Sequence, residues 1–334
     1  SALLSIASAN ATADLPLAVG PAIRIVFPEE ASGISMPVTA ITLVCNPARP
    51  ALDPEITDAV LNALGGFGRA ESQTLASGIA EDYVIAAAPP RAELAEALAS
   101  LLGRLPIDLI IQPARHRRKR FLIADMDSTS IGQECIDELA DFAGLKPEIS
   151  AITERAMRGE LDFEDALKER VGMLAGLSED SLEKCFKTRI TLNPGAQTLV
   201  RTMNAMGGGT MLVSGGFTFF VERVARQAGF QDFRANHLEI ENGRLTGKVW
   251  PPIIGRNAKK SSLLEAIERL GVSPDETLAV GDGANDLDML GAAGLGVAYR
   301  GKPQVAAAAD ARIDHGDLTA LLYAQGIRQT QFAQ

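Results

Sequence analysis

The sequence predicts an α/β protein with a doubly wound, mostly parallel sheet. Helices are inserted after the first strand of that sheet, and a smaller α+β unit precedes it. Three observations lead there. From Phe121 onward, short apolar runs that suit buried strands alternate with amphipathic helical stripes. Three of those runs end in small polar or acidic clusters: Asp125-Met126-Asp127-Ser128-Thr129, Ser214-Gly215-Gly216 and Gly281-Asp282-Gly283-Ala284-Asn285-Asp286. In open α/β sheets that carboxyl edge is where ligands bind. The residues before Arg115 instead read strand, helix, strand, strand, helix, strand.

The totals narrow the function classes. At 334 residues the chain has room for about two domains. A net charge of −10 argues against a nucleic-acid partner. Cys45, Cys135 and Cys185 are few, far apart and odd in number, which fits a reducing, cytoplasmic compartment better than a disulfide framework or a zinc site. His116, His237 and His315 are isolated, so a histidine-rich metal site is not expected. No apolar run is long enough to cross a bilayer, so no membrane partner is expected either. Residues 1–35 are Ala- and Ser-rich, carry Arg24 as their one basic residue and lack periodicity, and are read as an extension outside the catalytic fold.

The first unit spans residues 36–118. Val38–Val44 is β-rich, and Pro54–Leu64 carries a stripe of Ile56, Val60, Leu61 and Leu64 that glycines 65, 66 and 68 end. Strands follow around Glu71–Leu75 and Asp82–Ala87, then a helix over Arg91–Leu102 and a strand over Ile107–Gln112. This βαββαβ order is ferredoxin-like and resembles the ACT-type domains that accompany amino-acid enzymes. A structural, a dimerising and an amino-acid-sensing role all fit it. The basic run Arg115–Arg120 joins two apolar strands in an acidic protein and reads as a solvated linker.

The second unit, residues 119–334, opens with the strand Phe121–Ala124. Helical patterns over Cys135–Phe142, Ile149–Arg158, Phe163–Leu174 and Ser178–Cys185 then make a helical insertion of about residues 133–200. Met211–Val213 is a strand ending in Ser214-Gly215-Gly216, where a hydroxyl and open backbone N–H groups suit phosphate oxygens or simply a tight turn. A helix over Phe217–Ala228 and strands around the Glu241-Asn242-Gly243 turn follow. Lys259 and Lys260 open a helix that Gly271 stops. Thr277–Val280 carries the second acidic cluster, and Leu295–Ala298 and Ala311–Ile313 complete the sheet.

Two carboxylates, a hydroxyl with glycines, a lysine and a second acidic cluster, in this order, resemble the haloacid dehalogenase-like superfamily, and within it the phosphoserine phosphatase family. The resemblance covers about residues 121–322 and implies a Rossmann-like core whose inserted helices form a cap. It implies Asp125 as nucleophile and Asp127 as the acid/base that protonates the leaving alkoxide. It implies Mg²⁺ held by Asp125, the Asp127 carbonyl and Asp282, with Asp286 as a supporting carboxylate. Ser214 and the Gly215 N–H would hold phosphoryl oxygens, Asn285 would contact the phosphate or the nucleophile's surroundings, and Lys259, chosen over Lys260 by its spacing to Asp282, would neutralise developing charge. Glu134, nine positions after the nucleophile, would face the substrate's amino group and Arg170 its carboxylate, with Met157 and Phe163 at the apolar cap positions. The implied substrate is O-phospho-L-serine and the suggested assembly a homodimer.

The residue types support this chemistry independently. A phosphate monoester is a dianion that repels a carboxylate nucleophile, so positive charge from a hard cation and a lysine is needed nearby. A zwitterionic substrate calls for opposed acidic and basic side chains, and a guanidinium can grip a carboxylate with two hydrogen bonds. A phosphatase or phosphotransferase of broader range, and a non-enzymatic amino-acid sensor, remain open from the sequence.

Overall fold

The computed structural model describes residues 38–334, and the expected extension over residues 1–35 lies outside them. The first six elements are β1 (Val38–Cys45), α1 (Pro54–Gly65), β2 (Ala70–Ala76), β3 (Ala80–Ala86), α2 (Arg91–Leu102) and β4 (Ile107–Pro113). Their strands form an antiparallel sheet in the order β2-β3-β1-β4. Alternation along the strands gives this sheet two buried faces. Ile41, Leu43, Tyr83 and Ile85 pack against Val60 and Leu64 of α1 and Leu94 and Leu98 of α2. Val44, Ala80 and Ile110 join the other core, which includes Leu321, Ala324 and Ile327 near the C-terminus.

Several polar groups on that second face are engaged. Gln112 Nε2 donates to the Ala324 carbonyl at 2.7 Å. The buried Asp108 carboxylate accepts the backbone N–H groups of Asp314, His315 and Gly316 at 2.7 to 3.2 Å. In the basic run expected as a solvated linker, Arg115, His116, Arg118 and Arg120 are exposed, while Arg117 and Lys119 are engaged. Arg117 pairs with buried Asp82 at 2.7 Å, and Lys119 Nζ donates to the Asp275 carbonyl at 2.7 Å. The buried Asp82 carboxylate needs a donor, and Arg117 supplies it.

The second sheet follows the order β11-β10-β9-β5-β6-β7-β8. Its strands are β5 (Phe121–Ala124), β6 (Gly209–Phe217), β7 (Asp232–Glu241), β8 (Arg244–Trp250), β9 (Thr277–Gly281), β10 (Leu295–Tyr299) and β11 (Ala311–Ile313). Every neighbouring pair is parallel except β7–β8. Helices α3 (Cys135–Asp141), α4 (Lys146–Met157), α5 (Phe163–Met173) and α6 (Glu179–Arg189) form the insertion after β5. Helices α7 (Ala196–Ala205), α8 (Thr218–Ala228), α9 (Arg256–Leu270), α10 (Leu287–Leu290), α11 (Pro303–Ala308) and α12 (Ala320–Tyr323) belong to the sheet's surroundings.

β5 sits in the middle and its four residues are buried. Leu122 and Ala124 face a core with Leu199, Val200 and Met203 of α7 and Phe220 and Val224 of α8. Phe121 and Ile123 face Leu263 and Ala266 of α9 and Met289 and Leu290 of α10. Helices on both faces explain why β5 is continuously apolar. The insertion is shorter than the residues 133–200 expected, because the apolar stripe of α7 packs on the sheet. Its two connections are clasped: Ile131 bridges Leu192, and Asn193 Nδ2 donates to the carbonyls of Thr129 and Ile131 at 2.7 and 3.0 Å. Among the described residues no helix is long and apolar enough to cross a membrane.

Candidate active site

The central strand delivers the first acidic group and then turns. The Asp125 N–H still donates to the Val280 carbonyl of β9 at 3.0 Å. Residues Met126–Ser130 then form one wide turn in which Ser128 adopts φ +54°. Asp125 and Asp127 therefore leave strand alternation and converge from different directions. Asp125 Oδ1 accepts the Met126 N–H at 2.7 Å and the Lys259 ammonium at 2.7 Å. Asp127 Oδ1 accepts the Cys135 N–H at the start of α3 at 2.8 Å, and its Oδ2 accepts the Ser214 hydroxyl at 3.2 Å. Capping a helix and reaching the pocket are thus both done by Asp127, one oxygen each.

The other strand ends close around this pair. In β6, Ser214 Oγ accepts the Gly216 N–H at 2.8 Å, which folds the glycine turn back over the hydroxyl. After β9, Asp286 accepts the N–H groups of Asp282 and Gly283 at 3.2 and 3.1 Å. Lys259, in the first turns of α9, is 0% exposed and lies 2.7 Å from both Asp125 and Asp286. Lys260 is exposed. Thr129 Oγ1 donates to Asp282 at 3.3 Å, and Ser130 Oγ donates to the Asp125 carbonyl at 2.6 Å.

This arrangement is short of positive charge. Burial pushes Asp125 well above the usual carboxylate range, and repulsion from Asp286 adds to it; Lys259 offsets only part. Burial, followed by the same repulsion, raises Asp282 to about 7. Burial opposes the charge on Lys259, but Asp125 and Asp286 outweigh it and hold the ammonium protonated. Asp125, Asp282 and Asp286 present oxygens within 4.8 Å of one another. Asp286 is already engaged by Lys259 and two N–H groups. Among the described residues no hydrogen bond engages Asp125 Oδ2 or Asp282 Oδ2. Hard, converging oxygens with spare lone pairs fit a divalent cation such as Mg²⁺.

The inserted helices close the other side. Glu134, just before α3, accepts the Ser128 hydroxyl at 2.6 Å. Burial drives its pKa well up, and the nearby Asp127 and Asp282 charges add to the rise. Arg170 of α5 is 5% exposed; its Nε donates to the Ala166 carbonyl and its Nη1 to Thr153 Oγ1, each at 3.0 Å. Phe163 lies over Gly215 and Gly255, and Met157 lies against Gly283. A Cβ at Gly215 would overlap the Phe163 ring, so that glycine is required for this close approach.

Asp125, Asp127, Glu134, Arg170, Ser214 and Asn285 line one cavity, together with Gly215, Met157 and Phe163. Lys259 and Asp282 lie behind Asp125. The Asn285 Oδ1 atom is buried without a partner. The cavity volume is about 40 Å³. Ser128 and Thr153 were not among the expected site residues. Ser128 stood in the acidic motif without a sign of its positive φ, and Thr153 looked like any threonine within a helical stripe.

Comparison with known proteins follows the same outline. The sequence model of haloacid dehalogenase-like hydrolases matches residues 122–291. A phosphoserine phosphatase from Polaromonas sp. is 47% identical over 208 residues, covering 61% of this chain and 88% of that one. Among solved structures, a HAD-family hydrolase from Salmonella enterica serovar Typhi superposes with a TM-score of 0.74 at 30% identity, covering 86% of this chain and 98% of that one. A phospho-aspartyl intermediate analogue of phosphoserine phosphatase superposes with a TM-score of 0.60 at 37% identity, covering 63% of this chain and 100% of that one. The chain belongs to the haloacid dehalogenase-like hydrolase family.

Proposed function

We propose that the chain hydrolyses O-phospho-L-serine to L-serine and phosphate through an aspartyl-phosphate on Asp125. One observation carries the substrate: Glu134 and Arg170, opposite in charge, line the same buried cavity as Asp125, Asp127 and Ser214. A phosphate ester with both an ammonium and a carboxylate offers a partner to each, and its ammonium favours the ionised form of Glu134 that burial opposes, whereas a simple alkyl phosphate offers neither. The relatives named phosphoserine phosphatase support the same reading.

Each side chain then has a step. Asp125 attacks phosphorus, and the serine alkoxide leaves with a proton from Asp127. Burial raises the pKa of Asp127 against the opposing Cys135 N–H, the direction a general acid needs. After serine departs, Asp127 takes a proton from the water that attacks the aspartyl-phosphate, and phosphate is released. Ser214 and the Gly215 N–H hold phosphoryl oxygens, and Lys259 balances the nucleophile and the growing negative charge. Asp125, Asp282 and the Asp127 carbonyl would hold Mg²⁺, with Asp286 behind them. Mg²⁺ supplies positive charge that lets a dianionic ester approach a carboxylate. Met157 and Phe163 keep bulk water from the intermediate.

The first unit is read as ACT-like, supported by its βαββαβ order and its sheet order. The deciding assay is phosphate release from O-phosphoserine with Mg²⁺ and after chelation. Metal-dependent release is expected; absence of turnover in folded protein would defeat the reading.

A further inference from the structure

Arg170 is held by a relay that no site pattern includes. Its guanidinium can only donate hydrogen bonds, so Thr153 Oγ1, 3.0 Å from Nη1, must accept. That leaves the threonine's single proton for another acceptor. Asp137 Oδ1 lies 2.6 Å away and, as a carboxylate, can only accept. The Ile149 carbonyl, at 3.1 Å, is the longer and uncharged choice. The direction is therefore forced: Arg170 to Thr153, Thr153 to Asp137. The three residues stand on α5, α4 and α3, so the relay also ties three helices of the insertion together. Arg170 and Thr153 are 5% and 3% exposed, and both line the cavity.

The arrangement differs from a direct ion pair. Among the described residues Arg170 makes no salt bridge, and no hydrogen bond engages its Nη2. A carboxylate in direct contact would occupy the fork that a substrate carboxylate needs. Placed one hydroxyl away, Asp137 orients the fork and supports its charge yet leaves N–H groups open. Burial disfavours the charged guanidinium, and Glu134 and Asp137 are the leading charges that counter this.

We infer that Thr153, polarised by Asp137, is a positioning residue that sets specificity for a substrate carboxylate by fixing Arg170. The inference rests on the phosphoserine reading above and deepens it. The test compares two substrates that differ only by the carboxylate, O-phosphoserine and O-phosphoethanolamine, on the full chain with Mg²⁺. Thr153→Val keeps shape and removes the hydroxyl; Thr153→Ser keeps the hydroxyl. Thr153→Val should raise KM for phosphoserine about tenfold or more with kcat little changed, the size expected for losing a hydrogen bond to a charged group. Phosphoethanolamine kinetics should stay within about twofold, and Thr153→Ser should restore phosphoserine KM. In an Arg170→Ala background the Thr153→Val effect should vanish, because the relay acts only through Arg170.

Equal losses on both substrates, or an undiminished effect without Arg170, would make Thr153 a packing residue and overturn the relay. Retention of wild-type discrimination by Thr153→Val would overturn it as well, while loss of discrimination in Arg170→Ala would leave the parent reading standing. Wild-type protein with no preference for phosphoserine would instead remove the parent reading, and the relay with it.

Discussion

Lys259 offers the sharpest check on the electrostatics of the site. Its ammonium is 0% exposed and 2.7 Å from each of Asp125 and Asp286, with Asp282 close by. Lys259→Met keeps most of the side-chain volume and removes the charge. Leaving buried carboxylates without their partner costs about 3–5 kcal/mol. With an unfolding entropy of about 2.1 cal/mol/K per residue, a chain of this length should lose roughly 4–7 °C in melting temperature. The loss should be largest in chelator. Mg²⁺ at a hundred times its Kd adds about 2.7 kcal/mol to any protein that binds it only when folded. Wild type gains the same amount at equal saturation, so the deficit shrinks only as far as the more negative variant site binds Mg²⁺ more tightly, by RT ln of the affinity ratio. Calorimetry of wild type and variant, with chelator and with Mg²⁺, reads both quantities. A variant that melts with wild type in chelator would show that Lys259 is not what holds these carboxylates together.

Other expectations follow from the same geometry. Asp125→Asn should bring turnover to the assay floor while leaving metal-free stability equal or higher, because it removes one of three crowded buried carboxylates; measured phosphate release from the variant would refute a covalent step on this residue. Gly215→Ala should displace Phe163 and loosen closure over the cavity, raising KM several-fold with the fold retained in circular dichroism; unchanged kinetics would mean the ring is free to move aside. Asp108 provides a pH test outside the active site. Burial raises its pKa despite three backbone N–H donors, so the folded state binds its proton more tightly than the unfolded state. The stability this gives is full below the unfolded value near 3.8 and is lost as pH rises through the higher folded value. The wild-type stability minus that of Asp108→Asn should therefore fall with rising pH across that window in urea titrations, and a rise would mean the three N–H groups outweigh burial.

Much of this protein could be read along the chain. The limits of α2, β5 and β11 match their apolar runs to the residue, and the acidic clusters fall at the ends of β5 and β9; Ser214-Gly215-Gly216 instead lies within β6, which runs on to Phe217 past a register shift after Val213. These are local properties: a strand buried on both faces must be apolar throughout, and a chain leaving a sheet edge exposes whatever residues come next. The ordered motifs also carried the family and the list of candidate residues.

Partnerships across the fold were decided by packing. Ser128 reaches Glu134 only because a positive-φ turn bends the chain back, and Thr153 meets Arg170 only because α4 lies beside α5. Arg117, in a run that looked solvated, finds Asp82 because the second face of the first sheet is buried against the C-terminal segment. Helix α7 closes the insertion early for the same reason, since its apolar stripe has a sheet to cover. The sequence by itself determined where strands end and which chemical groups stand there. Tertiary structure decided which of those groups share a proton or a charge, because a hydrogen bond depends on ångström separations between segments that the chain order leaves free.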